Sequence, residues 1–416
     1  MSTQTAPALV LTFEEARRAV LDHCQAISPA GRETVFLIDS ARRVLGEEIT
    51  ADRHIPPFPR ATRDGYAVRA ADLAAVPARL KIVGEIRAGA PIKAMPPVKV
   101  GEAVAIMTGA PVPAGADAVV MVEFTSQNRD FVEIARAAAA GENIVPRGAE
   151  AKRGSALLSR GSRMNETAVA LAASVGKSKL EVFTRPRVAV LTTGDEIVPV
   201  EISPGVSQIR NSNSYSLAVQ IQEAGGEPHI LPIAPDQPGR LRELIEEGLR
   251  ADLLIMTGGV SMGRYDLVEQ TLQELRAEFF FTGAKIQPGR PVVFGRCPAG
   301  RGEGSKYFFG LPGNPVSTMV TFELFARPLL EALSGMEPRS LMFYYVRAKP
   351  EIRSKTGLTR FLPAILSGEC ANVQAELVPW QGSGDIAAQA RANCWIVIPP
   401  DSEKISAGDW VAIIPR

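Results

Sequence analysis

The sequence predicts a multidomain protein in which an α/β domain with a parallel sheet is combined with additional β domains. The first observation is length, because 416 residues exceed the roughly 250–300 residues at which one hydrophobic core stops growing. The second is the pattern from Arg187 to Pro315, where short apolar runs alternate with helical periodicity. The third is the composition of residues 80–150 and 336–416, where short β-like runs are separated by proline and glycine turns.

Charge and composition exclude several classes of protein. Lys and Arg total 46 and Asp and Glu total 45, so the formal net charge is +1. A near-neutral chain lacks the basic surface of a nucleic-acid-binding or membrane-surface protein. The N-terminus has no signal-peptide pattern, and no apolar run approaches the roughly 20 residues of a membrane-spanning helix. We therefore expect a cytoplasmic protein with no nucleic-acid or membrane partner.

Common catalytic motifs do not occur. The four cysteines form no CxxC pair, and none of the three histidines has a second histidine at ligand spacing. The sequence also has no GxxxxGK[ST] motif and no GxGxxG motif that opens a helix. These observations argue against a zinc ribbon, a Ser-His-Asp hydrolase, an ordinary GTPase and a Rossmann dehydrogenase.

The first half of the chain combines helices with β-rich sequence. Thr12 and Glu15 form a capping box before an amphipathic helix of about a dozen residues. Prolines 56, 57 and 59 enforce extended backbone before the turn at 64–66. Later runs predict strands and one helix: Lys81–Val83, Ala103–Met107, Ala118–Glu123 and the helix Asn165–Ser174, with Gly176 suited to its C-terminus.

The second half predicts the α/β domain and a C-terminal barrel or sandwich. The strand and helix order implies right-handed crossovers and a parallel sheet. Asn211, Ser212 and Asn213 are suited to cap a helix. The expected elements are strands Val188–Leu191, His229–Ile233, Leu253–Met256 and Phe308–Leu311; helices Ser214–Ala224, Arg240–Arg250 and Val316–Leu330; and strands Met342–Ala348, Gly357–Ile365, Ala375–Val378, Cys394–Ile398 and Asp409–Ile414.

Two glycine turns follow neighbouring strands of this sheet. Thr193-Gly194 and Thr257-Gly258-Gly259 therefore fall at one carboxyl edge, where open α/β sheets bind ligands. Glycines allow backbone N–H groups to approach an anion closely. Carboxylates at such an edge usually serve Mg²⁺, which takes one or two of them together with phosphate oxygens. The expected acidic cluster consists of Asp195, Glu196, Asp236 and Asp266, of which we expect about half to cap helices instead.

A set of motifs spanning essentially the whole chain resembles the MoeA family, the molybdopterin molybdenumtransferases, which are related to the gephyrin E domain. The motifs, in family order, are Arg63–Ala67, Met107–Ala110, Ala114–Val119, Thr193–Glu196, Asn211–Asn213, Gly258–Gly263 with Asp266, and Leu311–Pro315.

The resemblance implies an elongated subunit with a central three-layer α/β domain like that of MoaB and Mog, in a homodimer. Four parts are expected: residues 10–51 plus 155–176 as an N-terminal helix and small linking domain, 52–154 as an inserted β-rich domain, 177–335 as the α/β molybdopterin-binding domain, and 336–416 as a C-terminal β-barrel. In the family, the α/β domain of one subunit and the β-rich domain of the other enclose the cleft.

The resemblance also implies a reaction in which molybdate is inserted into adenylylated molybdopterin, with release of AMP and assistance from Mg²⁺. The expected partners are a Mog-like adenylyltransferase and apo-molybdoenzymes. By motif, the catalytic residues would be Asp64, Thr108, Glu196 and Asp266, and the metal ligands would be Asp236, Asp266 and Glu196. The substrate-binding residues would be Thr193, Gly194, Asp195, Gly258, Gly259, Ser261, Lys285, Arg290, Pro312, Gly313, Asn314 and Pro315.

Three positions depart from the family pattern. Gln287 replaces a usual Lys, Glu150 stands where Asp is usual, and Arg63 stands where Met is common. The loss of one cation at Gln287 bears on the affinity for anions. Two alternatives remain open from the sequence: a gephyrin-like interaction protein without turnover, and a Mog-like molybdopterin adenylyltransferase. The long β-rich insertion and the C-terminal barrel argue against the second, because the Mog-like family has a single domain.

Overall fold

The computed structural model describes residues 9–29, 31–91, 95–259, 267–298 and 305–416. Contacts divide the chain into two compact units. One consists of Phe36–Ala41 and Glu47–Leu180, and the other contains the described residues within Met1–Val35, Arg42–Gly46 and Glu181–Arg416. The division into four domains stays a prediction. None of the helices in the described ranges is long and apolar enough to cross a bilayer.

The N-terminal segment begins with β1 (Val10–Leu11), followed by helix α1 (Phe13–Cys24) and strand β2 (Arg32–Phe36). The capping box is confirmed, because the Thr12 hydroxyl accepts from the Glu15 N–H at 3.2 Å and the Glu15 carboxylate accepts from the Thr12 N–H at 2.8 Å. Phe13 lies 5.1 Å from Phe361 and 6.3 Å from Phe325 between ring centroids. The first helix is therefore packed between the α/β core and the C-terminal barrel.

The Glu47–Leu180 unit is built on a six-stranded sheet in the order β8-β5-β7-β6-β10-β9. The helix predicted at Asn165–Ser174 is confirmed as α2, in which Asn165 is the N-cap, and Gly176 follows it with a φ of 79°. The elements of this segment are β3 (Ile49–Thr50), β4 (Arg60–Ala61), β5 (Gly65–Val68), β6 (Ala78–Ile86), β7 (Glu102–Ile106), β8 (Ala118–Met121), β9 (Thr125–Asn128), β10 (Phe131–Ile134), β11 (Ile144–Val145), β12 (Ala156–Leu158), α2 (Glu166–Ser174) and β13 (Lys179–Phe183).

The α/β segment contains a second six-stranded sheet, in the order β17-β14-β18-β23-β22-β19. Its elements are β14 (Arg187–Thr192), β15 (Ile197–Val198), β16 (Ile209–Arg210), α3 (Asn213–Glu223), β17 (Glu227–Ile230), α4 (Pro238–Gly248), β18 (Leu253–Thr257), α5 (Leu267–Glu274), β19 (Glu278–Phe281), β20 (Gly283–Ala284), β21 (Ile286–Gln287), β22 (Val293–Pro298) and β23 (Ser305–Leu311). Strands β17, β14, β18 and β23 are parallel, as predicted.

Alternate residues of the central strands enter two separate cores, which gives the three layers expected for this domain. Val188 and Val190 of β14 pack with α1, α3 and the helices after β23. Ala189 and Leu191 pack with α4 and α5. Strands buried on both faces read as continuous apolar runs, which is why these segments lack alternation in the sequence.

Two predictions for this sheet were wrong in detail. The sheet is not wholly parallel, because β22 and β19 extend it in the antiparallel direction. The strand expected at His229–Ile233 lies at Glu227–Ile230. It begins earlier because β17 is an edge strand, where Pro228 is tolerated, and it stops before Pro232, which has no N–H to donate.

The helix expected at Val316–Leu330 is present but is divided into three parts. Helix α6 (Pro315–Thr321) leads into a π-helical segment (Phe322–Ala326) and then α7 (Arg327–Leu333). Pro328 has no N–H, so it cannot donate to the carbonyl of Leu324. The side chain of Arg17 donates to that carbonyl instead, at 2.6 Å. The irregular segment therefore has an identifiable cause.

The C-terminal segment forms the predicted barrel. Pairing between β26 and β28 closes a ring of five strands, and β21 from the α/β segment adds to β26 as a parallel neighbour. The elements are β24 (Tyr344–Ala348), β25 (Ile352–Arg353), β26 (Thr359–Ser367), β27 (Gln374–Leu377), α8 (Ile386–Arg391), β28 (Cys394–Ile398), β29 (Lys404–Ile405) and β30 (Trp410–Pro415).

Replacement of Phe13 by Ala tests the junction between the first helix and the barrel. Phe13 is 6% exposed, and truncation of a buried Phe costs about 3–5 kcal/mol because it leaves a cavity. We expect a large decrease in the midpoint of urea unfolding followed by circular dichroism. Tyr345→Ala removes an aromatic ring that is 67% exposed and should cost less than about 1 kcal/mol. Equal midpoints for the two variants would contradict this role of Phe13.

Candidate active site

Three loops begin side by side at the carboxyl edge of the α/β sheet. The register aligns Thr192 of β14 with Thr257 of β18, and Thr257 with Leu311 of β23. The predicted adjacency of the two glycine turns is therefore confirmed. The turn after β23, Pro312–Pro315, joins them at the same edge.

The loops after β14 and β18 approach each other more closely than residues with side chains would allow, and the loop after β23 lies in contact with them. A Cβ on Gly258 would lie 2.5 Å from the carbonyl oxygen of Thr193, and the φ of Gly258 is 88°. A Cβ on Gly313 would lie 3.5 Å from the Cα of Gly258. Glycine at position 258 therefore meets two requirements, a left-handed backbone and contact with the neighbouring loop.

Buried hydrogen bonds fix this arrangement. The Nδ2 of Asn213 donates to the Thr257 hydroxyl at 2.9 Å and to the carbonyl of Gly313 at 2.8 Å. The Thr257 hydroxyl donates to the carbonyl of Pro312 at 3.1 Å, and the Thr318 hydroxyl donates to the same oxygen at 2.6 Å. One asparagine thus joins the β18 and β23 loops.

Asn213 was predicted as a possible capping residue and as part of a family motif, with no contact assigned to it. Capping falls instead to Asn211, whose Oδ1 accepts from the Ser214 N–H at 3.1 Å. Its Nδ2 also donates to the Ser214 hydroxyl at 3.0 Å. The role of Asn213 depends on contacts 44 and 100 residues away, which no local pattern encodes.

A cleft of about 340 Å³ opens above these loops. Seven of the residues predicted as substrate-binding or catalytic lie in its wall: Thr193, Glu196, Gly258, Gly259, Pro312, Gly313 and Asn314. Its other described residues are Thr192, Ile197, Ile209, Asn213, Thr257 and Pro291. The predicted residues Ser261 and Asp266 lie outside the described part of the chain.

Two side-chain atoms in the wall of the cleft are buried without a hydrogen-bond partner among the described residues. They are the hydroxyl oxygen of Thr193 and the Oδ1 of Asn213. Thr193 is 3% exposed and Asn213 is 8% exposed. Leaving such a group unsatisfied costs about 1–3 kcal/mol. A wall that carries two of them is suited to a ligand that supplies the missing partners.

The acidic residues occupy different positions along this edge. Glu196 is exposed in the cleft wall, and its carboxylate turns back toward Gly194, where a Cβ would meet it. Asp195 accepts from the N–H of Asp236 at 3.1 Å, so it holds the loop before α4. Within the described ranges, no three acidic, histidine or cysteine side chains come close enough to form a metal site.

A second groove, of about 520 Å³, adjoins the cleft. Ile197 belongs to the walls of both. Gly194 and Asp195 line this groove rather than the cleft, together with Tyr215 of α3 and an apolar set: Pro199, Val200, Ile230, Leu231, Pro232, Ile233 and Pro235. The combination offers a broad apolar surface with one exposed aromatic ring.

Asp64 and Thr108 contact each other within the Glu47–Leu180 unit. The Thr108 N–H donates to Oδ1 of Asp64 at 2.6 Å. This hydrogen bond, followed by one from the Thr108 side chain, lowers the pKa of Asp64. Both side chains are exposed, so the carboxylate is ionised at neutral pH and accessible to a ligand.

Lys285, Gln287 and Arg290 lie in and around β21, which pairs with the barrel. Glu150 and Arg63 belong to the Glu47–Leu180 unit. Lys285 and Arg290 have exposed side chains and are not in the cleft wall, although Pro291 is. Gln287 is part of β21 and pairs with Arg360. Glu150 accepts from Arg60 at 2.8 Å, so this departure from the family pattern forms an ion pair. Nothing in the structure explains Arg63.

Profiles of known families match three consecutive parts of the chain. They are described as MoeA N-terminal region (domain I and II) at residues 11–176, probable molybdopterin binding domain at 189–332, and MoeA C-terminal region (domain IV) at 345–415. The chain is 34% identical to the molybdopterin molybdenumtransferase of Bacillus subtilis, over 97% of this chain and 94% of that protein. The chain belongs to the MoeA family. Its members named in this way are enzymes of molybdenum cofactor biosynthesis.

Other members of the MoeA family also match this chain over nearly its whole length. The molybdopterin molybdenumtransferase of Synechococcus elongatus is 33% identical, over 97% of this chain and 99% of that protein. The crystal structure of the MoeA protein of Pyrococcus horikoshii OT3 is similar, with a TM-score of 0.78 and 28% sequence identity. The match covers 98% of this chain and 100% of the Pyrococcus chain. A second Pyrococcus structure has a TM-score of 0.71 with 32% identity, over 98% and 99% of the two chains. The multidomain fold of the MoeA family therefore extends along this chain.

Replacement of Gly258 by Ala tests the close approach of the loops. An L-residue at this φ costs about 1–2 kcal/mol, and the new Cβ would also collide with the Thr193 carbonyl. We expect a lower thermal unfolding temperature and weakened ligand binding in the cleft. Gly239→Ala is the matched control, because a Cβ there meets nothing within 4 Å and lies in α4, where Ala is favoured. If both variants melted like the wild type, the proposed packing of the loops would be wrong.

Proposed function

We propose that this chain inserts molybdate into adenylylated molybdopterin and releases AMP. The observation that supports the proposal most directly is the cleft at the strand ends, whose wall holds two buried polar atoms that lack partners within the described ranges. Membership of the MoeA family supplies the class of substrate. The position of the cleft is the one at which open α/β sheets bind ligands.

The cleft and the adjoining groove are suited to a ligand with two halves. Adenylylated molybdopterin consists of a pterin with a dithiolene and a nucleotide, joined by a phosphoric anhydride. We assign the pterin to the cleft and the adenosine to the groove, with the shared wall at Ile197 between them. The apolar lining of the groove and the Tyr215 ring suit a purine base, because bases stack on aromatic side chains.

The glycine loops suit the phosphate and the metal-transfer end of the substrate. Gly258, Gly259 and Gly313 have no side chain to keep an anion from the backbone N–H groups, and Gly258 and Gly259 have left-handed conformations. Asn314 donates to the Ser383 hydroxyl at 2.9 Å, which anchors it to the loop before α8. We assign Ser261 and Asp266, from the family motif, to the same anion and metal end.

The donor set in the cleft wall suits Mg²⁺ as a cofactor. Mg²⁺ takes one or two protein carboxylates and fills its other positions with phosphate oxygens and water, so a cluster of three acids is not required. Glu196 is exposed in the cleft wall and would supply one carboxylate, with Asp236 and Asp266 as further candidates by motif. When bound, the ion would make the anhydride phosphorus more electrophilic.

The chemistry requires that molybdenum bind the two sulfurs and that the anhydride be cleaved. The two thiol protons leave with one molybdate oxygen as water, and addition of water to the anhydride releases AMP. Glu196 would accept a proton from the attacking water. Asp64, whose carboxylate is held ionised by Thr108, would position the substrate. Lys285 and Arg290 would attract molybdate, a dianion.

We further propose a homodimer, in which Asp64 and Thr108 of one subunit serve the cleft of the other, as the family resemblance implies. Such a protein would take its substrate from a Mog-like adenylyltransferase and deliver its product to apo-molybdoenzymes. A cytoplasmic location would suit these exchanges.

Neutral replacements of the two carboxylates test the catalytic assignment. Glu196→Gln and Asp64→Asn should each lower molybdate-dependent AMP release by at least about 100-fold, because each removes a charge used in catalysis. The measurement combines purified protein with adenylylated molybdopterin, Mg²⁺ and molybdate, and follows AMP and the activation of an apo-molybdoenzyme. Glu201→Gln and Asp130→Asn, at exposed acids away from the described cleft wall, are the matched controls.

Wild-type rates in both site variants would remove Glu196 and Asp64 from the mechanism. Binding of the substrate without AMP release by the wild-type protein would favour the scaffold alternative. Formation of adenylylated molybdopterin from ATP and molybdopterin would favour the Mog-like alternative.

Replacement of Tyr215 by Ala tests the nucleotide half of the assignment. Loss of an aromatic stacking partner costs about 1–3 kcal/mol per base, so the affinity for AMP should fall about tenfold. Isothermal titration calorimetry with AMP gives the affinity directly. Val219→Ala is the control, since Val219 lies one turn further along α3, is 54% exposed and is not in the described wall of the groove. Unchanged AMP affinity in Tyr215→Ala would place the nucleotide elsewhere.

A further inference from the structure

The orientation of the Asn213 amide is determined by its partners. The carbonyl oxygen of Gly313 can only accept a hydrogen bond, so the atom 2.8 Å away must be the amide nitrogen. The same nitrogen donates to the Thr257 hydroxyl, which donates in turn to the Pro312 carbonyl. Both donors of the amide are therefore used. The remaining atom, Oδ1, is an acceptor and has no partner among the residues that the structure describes.

An acceptor in this position restricts what can bind next to it. The phosphoric anhydride of the substrate and molybdate present only acceptor oxygens at neutral pH, so neither can satisfy Oδ1 of Asn213. A ligand group that does so must carry an N–H or O–H donor. Because the asparagine is 8% exposed, a bound ligand that left this acceptor unsatisfied would be disfavoured. This part of the cleft therefore selects against the anionic end of the substrate.

We propose that Asn213 determines substrate orientation by accepting a hydrogen bond from the N–H edge of the pterin. The inference rests on the proposed function. The pyrimidinone edge of a pterin carries an amino group beside a ring N–H, which gives two adjacent donors. The cleft wall offers the Asn213 oxygen and the Thr193 hydroxyl oxygen, neither of which has a partner in the described part of the chain. Adenine presents one amino group beside an acceptor nitrogen, and because the Thr193 hydroxyl can also donate, the titration with AMP distinguishes the two bases.

The Asn213 amide also supports the fold of the site, so one side chain has both a structural role and a role in recognising the substrate. Asn213 holds the Gly313 loop through its nitrogen and leaves its oxygen for the pterin. The anion-binding glycines thus lie next to a group that rejects anions. Asn213 acts as a specificity residue, and the side on which the pterin enters fixes where the anhydride lies.

Calorimetric titration of Asn213→Ala with molybdopterin and with AMP, as separate ligands, tests the proposal. The affinity for molybdopterin should fall about tenfold, while the affinity for AMP stays within about twofold of the wild-type value. Thr318→Val is the matched control, because it removes a hydroxyl bonded to Pro312 and weakens the same loop but leaves the acceptor in place. Its ratio of the two affinities should equal that of the wild type.

The outcomes are distinct. If Asn213→Ala lowered the affinities for molybdopterin and AMP equally, Asn213 would have a structural role only and the proposal would be overturned. The same conclusion would follow if Thr318→Val changed the ratio of the two affinities as Asn213→Ala does. A selective loss of affinity for AMP would assign the Asn213 oxygen to the nucleotide and also overturn the proposal. If the wild-type protein bound neither ligand, the proposed function itself would fail. Should Asn213→Ala not fold, Thr193→Val removes the other acceptor that has no partner among the described residues and leaves the Asn213 bonds in place, so a selective loss of molybdopterin affinity supports the proposal while an unchanged ratio overturns it.

Discussion

The close approach of three loops at the carboxyl edge of the α/β sheet is the constraint on which the rest of the site depends. Thr193, Gly258 and Gly313 come from strands that are neighbours in space but separated by 50 or more residues in the sequence. Thr193 and Gly258 meet because Gly258 has no Cβ, whereas a Cβ on Gly313 would only reach ordinary contact with Gly258. The approach brings polar backbone close together, and the buried hydrogen bonds of Asn213 and Thr257 compensate for its desolvation.

The surrounding structure maintains this constraint from two sides. The two cores on either face of the sheet hold β14, β18 and β23 in register. The helix after the Pro312 turn is anchored at its start by Thr318 and in its middle by Arg17, which satisfies the carbonyl left free by Pro328. The first helix of the chain thus stabilises the helix that carries the last loop of the site. Position in the sequence therefore gives little indication of which residues support the cleft.

How much of the fold the sequence predicted depends on whether each feature is determined by residues nearby in the sequence or by distant ones. The buried strands and the N-terminal capping box depend on local patterns, and their predictions are confirmed. The same holds for the glycine turns, since parallel strands in sequence order place their ends at one edge. The antiparallel strands β19 and β22 were missed, because their apolar residues do not show which neighbour they pair with. Asn213 was recognised as part of a motif, but its bonds to Thr257 and Gly313 depend on the tertiary fold.

The parallel pairing of Ile286–Gln287 with Thr359–Arg360 has a consequence for how this protein could evolve. Because the barrel is encoded by the last part of the gene, recombination between relatives would be expected to exchange it as one module. Yet one neighbour of its β26 strand is encoded about 70 residues earlier, within the α/β segment. An exchanged barrel would leave backbone groups unpaired at Thr359 and Arg360 unless the recipient supplied a compatible Ile286–Gln287 segment. Recombination at the apparent domain boundary would thus be selected against, and the two segments would be inherited together.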